Sequence, residues 1–239
     1  MPSLTVRVDH VAGLRRLMAS RDPDPAAAAI IAQMAGADGI AVQMQEDQYA
    51  VHESDVRLLR QIVSARLILH IAPTSAMTGL VLDIKPERVI LEPEPREEST
   101  TDDGIDLILH GKEISETVDA LQSNGISVGI CIPAEPEQVK VAHQIRADWV
   151  QIHAGRLKAA ASSETQRKEL DRMIDTVKMA RKLRLHISIG HGLDDQLIKL
   201  FKGIDEIDEI CLGQSLIAKA VLKGMQEAVG STIDLMRTL

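Results

Sequence analysis

The sequence predicts an α/β chain folded as a (β/α)8 TIM barrel with additional helices, a single domain over residues 1–239. Short β-branched runs alternate with helix-length amphipathic segments from one end to the other, and eight such pairs can be drawn. No composition break marks a linker between domains. No Gly-x-Gly-x-x-Gly follows the first strand, which disfavours an open dinucleotide-binding sheet.

In chain order, Leu4 to Val8 alternates as a strand and ends in Asp9-His10; Asp24-Pro25 then starts an alanine-rich helix that stops at Gly36. Gly39 to Met44 is the second strand. Glu53-Ser54-Asp55 leads into a helix with Val56, Leu59 and Val63 on one face, and Arg66 to Ile71 is strand three. Ala76 to Ile84 is helical, Arg88 to Leu91 is strand four, and a polar loop runs from Glu92 to Gly104. Lys112 to Ser123 is a helix stopped by Asn124-Gly125, and Ser127 to Ile132 is strand five. A helix from Glu135 to about Arg146, strand six at Trp149 to Ile152 and a long helix from Glu164 to Leu183 follow. Leu185 to Ile189 is strand seven, Asp194 to Lys202 helical, Glu209 to Leu212 strand eight, and Gln214 onward is helical nearly to the end.

Composition narrows the function. Tyr49, Trp149 and Phe201 are the only aromatics, so the core is aliphatic and a base-stacking nucleic-acid platform is not expected. A net charge of −8 argues against a polyanion surface but leaves small phosphorylated ligands open. Cys131 and Cys211 fall in separate strands and suggest buried thiols in a reducing compartment. No signal peptide or long apolar span is visible, so a cytoplasmic protein without membrane partners is expected.

Barrel active sites form at the carboxyl ends of the strands. Those ends carry Arg7, Asp9 and His10; Gln43, Gln45 and Glu46; His70; Glu92; His153; His191 and Gly192; and Gly213 with Gln214. Imidazoles suit general acid/base work near neutrality, although histidines at strand ends can also simply cap loops. Gly190-His191-Gly192 and Gly213-Gln214-Ser215 follow strands seven and eight, where barrels commonly bind phosphate through backbone N–H groups and helix N-termini. His10, His70, His153 and His191 could surround zinc, but no close ligand pair such as His-x-x-x-His occurs; neither a metal nor another cofactor is expected.

Several of these runs, taken together and in order, resemble the pyridoxine 5'-phosphate synthase family. They are Val8-Asp9-His10-Val11-Ala12 with Leu14-Arg15, Pro23-Asp24-Pro25, Ala35-Gly36-Ala37-Asp38-Gly39-Ile40, Asp55-Val56-Arg57-Leu58-Leu59-Arg60, Thr100-Thr101 with Gly104, Ile152-His153 with Gly155, and Gly190-His191-Gly192-Leu193. The resemblance implies a homo-oligomer that condenses 1-deoxyxylulose 5-phosphate with 3-amino-2-oxopropyl phosphate without a cofactor. It implies contacts from Asp9, His10 and Thr100 to the first substrate, a proton-donating His191, and phosphate held by Gly192, Gly213 and Gln214.

Departures from the family pattern fall in the same mouth. Gln43 stands where the family has a general-base histidine, and Gln45 where it has a phosphate-binding arginine. His70 stands for a catalytic glutamate and Arg7 for an asparagine. Ala50, Met18, Gln151 and Gln214 replace a histidine, an arginine, a glutamate and a histidine. Glutamine does not exchange protons near neutrality, whereas histidine does, so His70 could replace the glutamate as base and His10, His52 or His153 could take another proton. With the His191 that the resemblance implies, His70, His10 and His191 are the expected catalytic groups. Arg7, Asp9, Gln43, Gln45, Thr100 and His153 are the expected substrate contacts. Arg7 could bind an anionic ligand or could instead be a salt bridge to Asp9 or Glu46. Two functions remain open: the family's condensation on a rearranged set of residues, or a barrel re-used for another phosphorylated small molecule, by turnover or by binding alone.

Overall fold

The computed structural model describes residues 1–93 and 103–239. The eight strands β1 (Ser3–Arg7), β2 (Gly39–Gln43), β3 (Arg66–Ile71), β4 (Arg88–Leu91), β5 (Ser127–Ile132), β6 (Trp149–His153), β7 (His186–Gly190) and β8 (Glu209–Leu212) close in sequence order into one parallel barrel. Closure is made by β1, whose Ser3 to Val6 pair with Glu209 to Leu212 of β8. Around the barrel run α1 (Asp9–Leu17), α2 (Pro25–Met34), α3 (Glu53–Ile62), α4 (Ser75–Ile84), α5 (Leu107–Gln122), α6 (Pro136–Gln144), α7 (Gly155–Ala159), α8 (Ser163–Lys182), α9 (Asp195–Ile198), α10 (Gln214–Lys223) and α11 (Met225–Met236). The expected barrel with added helices is therefore what forms. No helix among the described residues is long and apolar enough to cross a membrane.

Three local differences from the sequence reading have simple causes. Asp9 and His10 belong to the first turn of α1, which the sequence left unassigned because its apolar face is short, with only Val11 and Ala12 buried. The last helix is two helices, broken at Gly224, whose φ of 84° no helix interior accommodates. The short α7 after β6 carries one buried residue, Leu157, too little for a periodic signal. Elsewhere the capping residues act as their types suggest: Asp24, Thr74, Asp106 and Ser162 each accept a hydrogen bond from the first turn of α2, α4, α5 and α8.

Strand parity decides which side chains enter the barrel, because alternate residues face the same side. Ala41, Ile68, Ile90, Cys131 and Cys211 form a separate apolar cluster, apart from the larger layer between strands and helices. The two cysteines are buried, on β5 and β8, and form no disulfide. Two residues towards the amino ends lies a polar floor: Glu209 accepts from Thr5 and Ser188 and pairs with Arg88, whose guanidinium rests 3.8 Å over the Trp149 ring. Two residues towards the carboxyl ends, the same parity brings Arg7, Gln43, His70, Glu92 and His153 together at the opposite end of the barrel.

Candidate active site

That end opens into a cavity of about 630 Å³. Of the expected residues, Arg7, His10, Gln43, His153, His191, Gly192, Gly213 and Gln214 line it. Asp9 and His70 stand behind the wall, one supporting Arg7 and the other Glu92. Gln45 is half-buried and does not line the cavity, and Thr100 lies outside the described residues.

The centre of the site is a residue to which the sequence assigned no role. Glu92, the first residue after β4, is 2% exposed. Its Oε2 sits 2.8 Å from His70 Nδ1 and 3.0 Å from His191 Nε2, and its Oε1 is 3.8 Å from Arg7 Nη2. Burial opposes its ionisation, but His70, Arg7 and His191 together hold the carboxyl well below its ordinary range. Its position directly after a strand was the available signal; what was missing was the parity argument that carries Arg88, Ile90 and Glu92 inward together.

Arg7 is fully engaged. Its Nε donates to Asp9 Oδ1 at 3.1 Å, its Nη2 to Asp9 Oδ2 at 3.3 Å and to Gln43 Oε1 at 3.0 Å, and its Nη1 lies 3.3 Å from His191 Nε2. Of the two anticipated partners, Asp9 is the one used; Glu46 accepts from Thr74 instead. Burial works against the charge on both members, yet Asp9 and Glu92 raise the guanidinium above its ordinary value while Arg7 and His10 keep Asp9 below its own.

His191 reaches the centre through an unusual backbone. Its φ is 57°, in the left-handed region, and Gly192 follows at 82°. A non-glycine residue there is held against a local cost, as is common at functional sites. Its Nε2 faces an acceptor, Glu92, and a donor, Arg7, so the proton on that nitrogen decides which bond is made. The ring stacks on His153 at 4.6 Å between centroids. His153 Nδ1 accepts from the Gly155 N–H, leaving Nε2 to carry its proton. Burial, with His191 and Arg7 adding to it, drives the His153 pKa down to about 3. Burial also lowers His10 and His70, against the pull of Asp9 and Glu92 respectively.

The two glycine loops differ in what they offer. At α9 the backbone N–H groups of Gln196 and Leu197 are already taken by the Asp194 carboxylate, which also pairs with Lys158. At α10 no side chain caps the helix, and Gly213, Gln214 and Ser215 line the cavity. A helix start of that kind suits an anion. Glycine at position 213 makes room for two neighbours: a Cβ would meet the His10 ring at 2.6 Å and Arg7 Cβ at 3.2 Å. Lys158, on the unanticipated α7, is a cavity-lining cation that sequence reading missed.

Outside the cavity, Arg15 makes a bidentate pair with Asp55 at 2.9 and 2.6 Å and ties α1 to α3. His52 is exposed at the start of α3.

A closed parallel barrel with a buried carboxylate, flanking imidazoles and an uncapped helix start at its carboxyl mouth defines a small-molecule enzyme of the (β/α)8 class. Solved barrels share the frame: KGPDC from Streptococcus mutans superposes with a TM-score of 0.65 over 99% of this chain and 98% of that one, at 13% identity. Tryptophan synthase from M. tuberculosis does so at 0.64 over 99% and 93%, at 11% identity. Sequence comparison is more particular. Residues 4–238 match the family described as Pyridoxal phosphate biosynthesis protein PdxJ, and the chain belongs to that family. Pyridoxine 5'-phosphate synthase of Desulforapulum autotrophicum is 44% identical over 100% of both chains, and that of Geobacter sp. strain M21 is 40% identical over 99% of both. The chain is thus an enzyme of the synthase type in vitamin B6 biosynthesis.

Proposed function

We propose that the protein condenses 1-deoxyxylulose 5-phosphate with 3-amino-2-oxopropyl phosphate to pyridoxine 5'-phosphate, using an acid/base set rearranged within the barrel. The observation that carries this reading is the contact of Glu92 Oε2 with both His70 and His191. The resemblance places a carboxylate on strand three, where this chain has His70; Glu92, directly after β4, supplies a carboxylate that contacts both His70 and His191. β3 and β4 run in register, His70 opposite Ile90 and Ile71 opposite Leu91, so the carboxylate sits one strand sideways and two residues further towards the carboxyl end.

The chemistry needs imine formation between the amine of one substrate and the ketone of the other, proton transfers, loss of water and loss of phosphate. Glu92 Oε2 accepts from His191 Nε2–H at rest; when that proton passes to a substrate hydroxyl leaving as water, Arg7 Nη1 donates to the freed lone pair and keeps the ring in place. His10, kept neutral by burial beside Asp9, is the base nearest the α10 start, where Gly213, Gln214 and Ser215 receive a phosphate. Gly192 and His153 complete the wall. Neither Gln43 nor Gln45 moves a proton; Gln43 positions Arg7.

The test is a mass-spectrometric assay of the purified protein with both substrates. Pyridoxine 5'-phosphate and released phosphate are expected from the native protein and not from His191→Asn. Absence of product with either substrate still bound would reject the condensation. It would favour a second reading, a related reaction on another phosphorylated small molecule, which the Arg7 and Gln43 pair on the cavity wall supports: those two positions differ together from the family's asparagine and histidine.

The working form is a homo-oligomer. Leu17, Met34 and Leu222 are 82%, 82% and 87% exposed at the ends of α1, α2 and α10, and α1 packs on both of the others. Light scattering should find a species larger than the 26.1 kDa monomer.

A further inference from the structure

Donors of the kind that bind transition metals converge beside the cavity. His70 Nδ1 and His191 Nε2 lie 2.8 and 3.0 Å from the same oxygen of Glu92, and one donor atom from each of the three residues falls within 4.8 Å of the others. They come from β3, from the end of β4 and from the turn after β7, so the barrel itself sets their spacing. We propose that His70, Glu92 and His191 form a binding site for a divalent transition-metal ion of the zinc class, with two imidazoles and one carboxylate as ligands and a further coordination position open to the cavity.

Zinc-class ions bind nitrogen and oxygen donors at about 2.0–2.2 Å, which sets neighbouring donors roughly 3.0–3.6 Å apart. The His191–Glu92 separation already lies in that range and the His70–Glu92 one falls just short of it, so those two contacts need little movement to admit an ion. Glu92 Oε1 is buried without a hydrogen-bond partner, leaving a lone pair available for a second bond to the ion. His70 Nε2 is also buried without a partner, so moving the ring proton there frees the Nδ1 lone pair without breaking a bond on the far side of the ring. The His70 and Glu92 side chains are 0% and 3% exposed and that of His191 is 23%, so the ion is reached from the His191 side, where substrate would stand. Imidazole with carboxylate favours zinc, cobalt, nickel or iron over the all-oxygen cations magnesium and calcium.

Arg7 opposes the ion, with Nη1 3.3 Å from His191 Nε2, but it is held by Asp9. Asp9, Glu92 and Arg7 together carry one net negative charge, and a dication turns the site positive towards an anionic ligand. Metal and protons are alternative occupants of the same lone pairs. The metal-loaded protein therefore loses the His191 and Glu92 acid/base couple, and zinc inhibits the condensation proposed above.

The experiment is a Co²⁺ titration of the purified full-length protein followed by visible d–d absorption, a readout that involves no substrate and is independent of the catalytic reading. A saturable one-to-one spectrum displaced by Zn²⁺ is expected. Affinity should fall about 100-fold or more in Glu92→Gln and in His191→Asn, since even outer-shell changes cost 10- to 100-fold. It should persist in His110→Gln, whose exposed ring pairs with Glu113. Circular dichroism of each variant separates lost binding from lost folding. No protein-dependent spectrum in the native chain, or an unchanged one in folded Glu92→Gln and His191→Asn, overturns the proposal.

Discussion

Glu92 and Arg7 are the residues on which the site turns, and they fail in different ways when changed. Glu92→Gln keeps size and one acceptor oxygen but removes the charge that His70, His191 and Arg7 surround. We expect kcat for pyridoxine 5'-phosphate formation to fall by about 100-fold or more with KM changed little, as for loss of a proton-transfer partner. A rise in KM with kcat unchanged would assign Glu92 to binding instead. Arg7→Ala leaves Asp9 and Glu92 as buried carboxylates without their cation, at a cost of about 3–5 kcal/mol. Urea denaturation should register that as a lower midpoint, and an unchanged midpoint would mean that Arg7 faces ligand rather than protein.

At the scale of elements, the two ends of the strands have separate duties. The floor network ties β1, β4, β7 and β8 through Glu209, with Arg88 carried on to Trp149 of β6. Glu209→Ala strands a buried guanidinium and should lower stability by about 3–5 kcal/mol. The folded fraction should keep its kcat, because the site lies at the other end of the same strands; a kcat loss matching the stability loss would contradict this division. Gly213→Ala places a methyl group against His10 and Arg7. Overpacking of that kind costs about 1–3 kcal/mol. Activity should suffer more than the melting temperature suggests, since the displaced ring is the base beside the α10 start.

For the whole molecule, the consequence is a dependence of stability on acid. His10, His70 and His153 all have lowered pKa values in the fold, His153 to about 3. Between such a folded value and the ordinary 6.5 the unfolded chain binds more protons than the native one, so stability is full above pH 6.5 and falls as pH drops. The slope approaches roughly 1.4 kcal/mol per pH unit for each imidazole held neutral. Urea midpoints measured from pH 7.5 downward should decline already near pH 6, before ordinary carboxylates titrate, and His153→Gln should flatten the decline. A midpoint constant between pH 7 and 5 would show that these imidazoles protonate freely in the native state.

The barrel was legible because each strand announces itself locally: Arg66 to Ile71, Arg88 to Leu91, Ser127 to Ile132 and Glu209 to Leu212 stand where β-branched runs and flanking turn residues put them. Period-two alternation also puts Thr5 with Arg7, Arg88 with Glu92, and Gln151 with His153 on one side of their strands, the step that the reading of the strand ends lacked. Missed elements were those with little periodic content, α1 and α7, and with α7 went Lys158. What the tertiary structure alone decided is who meets whom at the mouth. Glu92 is one polar residue in an acidic stretch until ring closure brings β3, β4 and β7 around it; that the Asp194 carboxylate takes the Gln196 and Leu197 N–H groups of its own helix is likewise seen only in the structure. Local propensity is written in neighbours along the chain, whereas a site is an intersection of strand ends far apart in sequence, and their distances exist only once the barrel has closed.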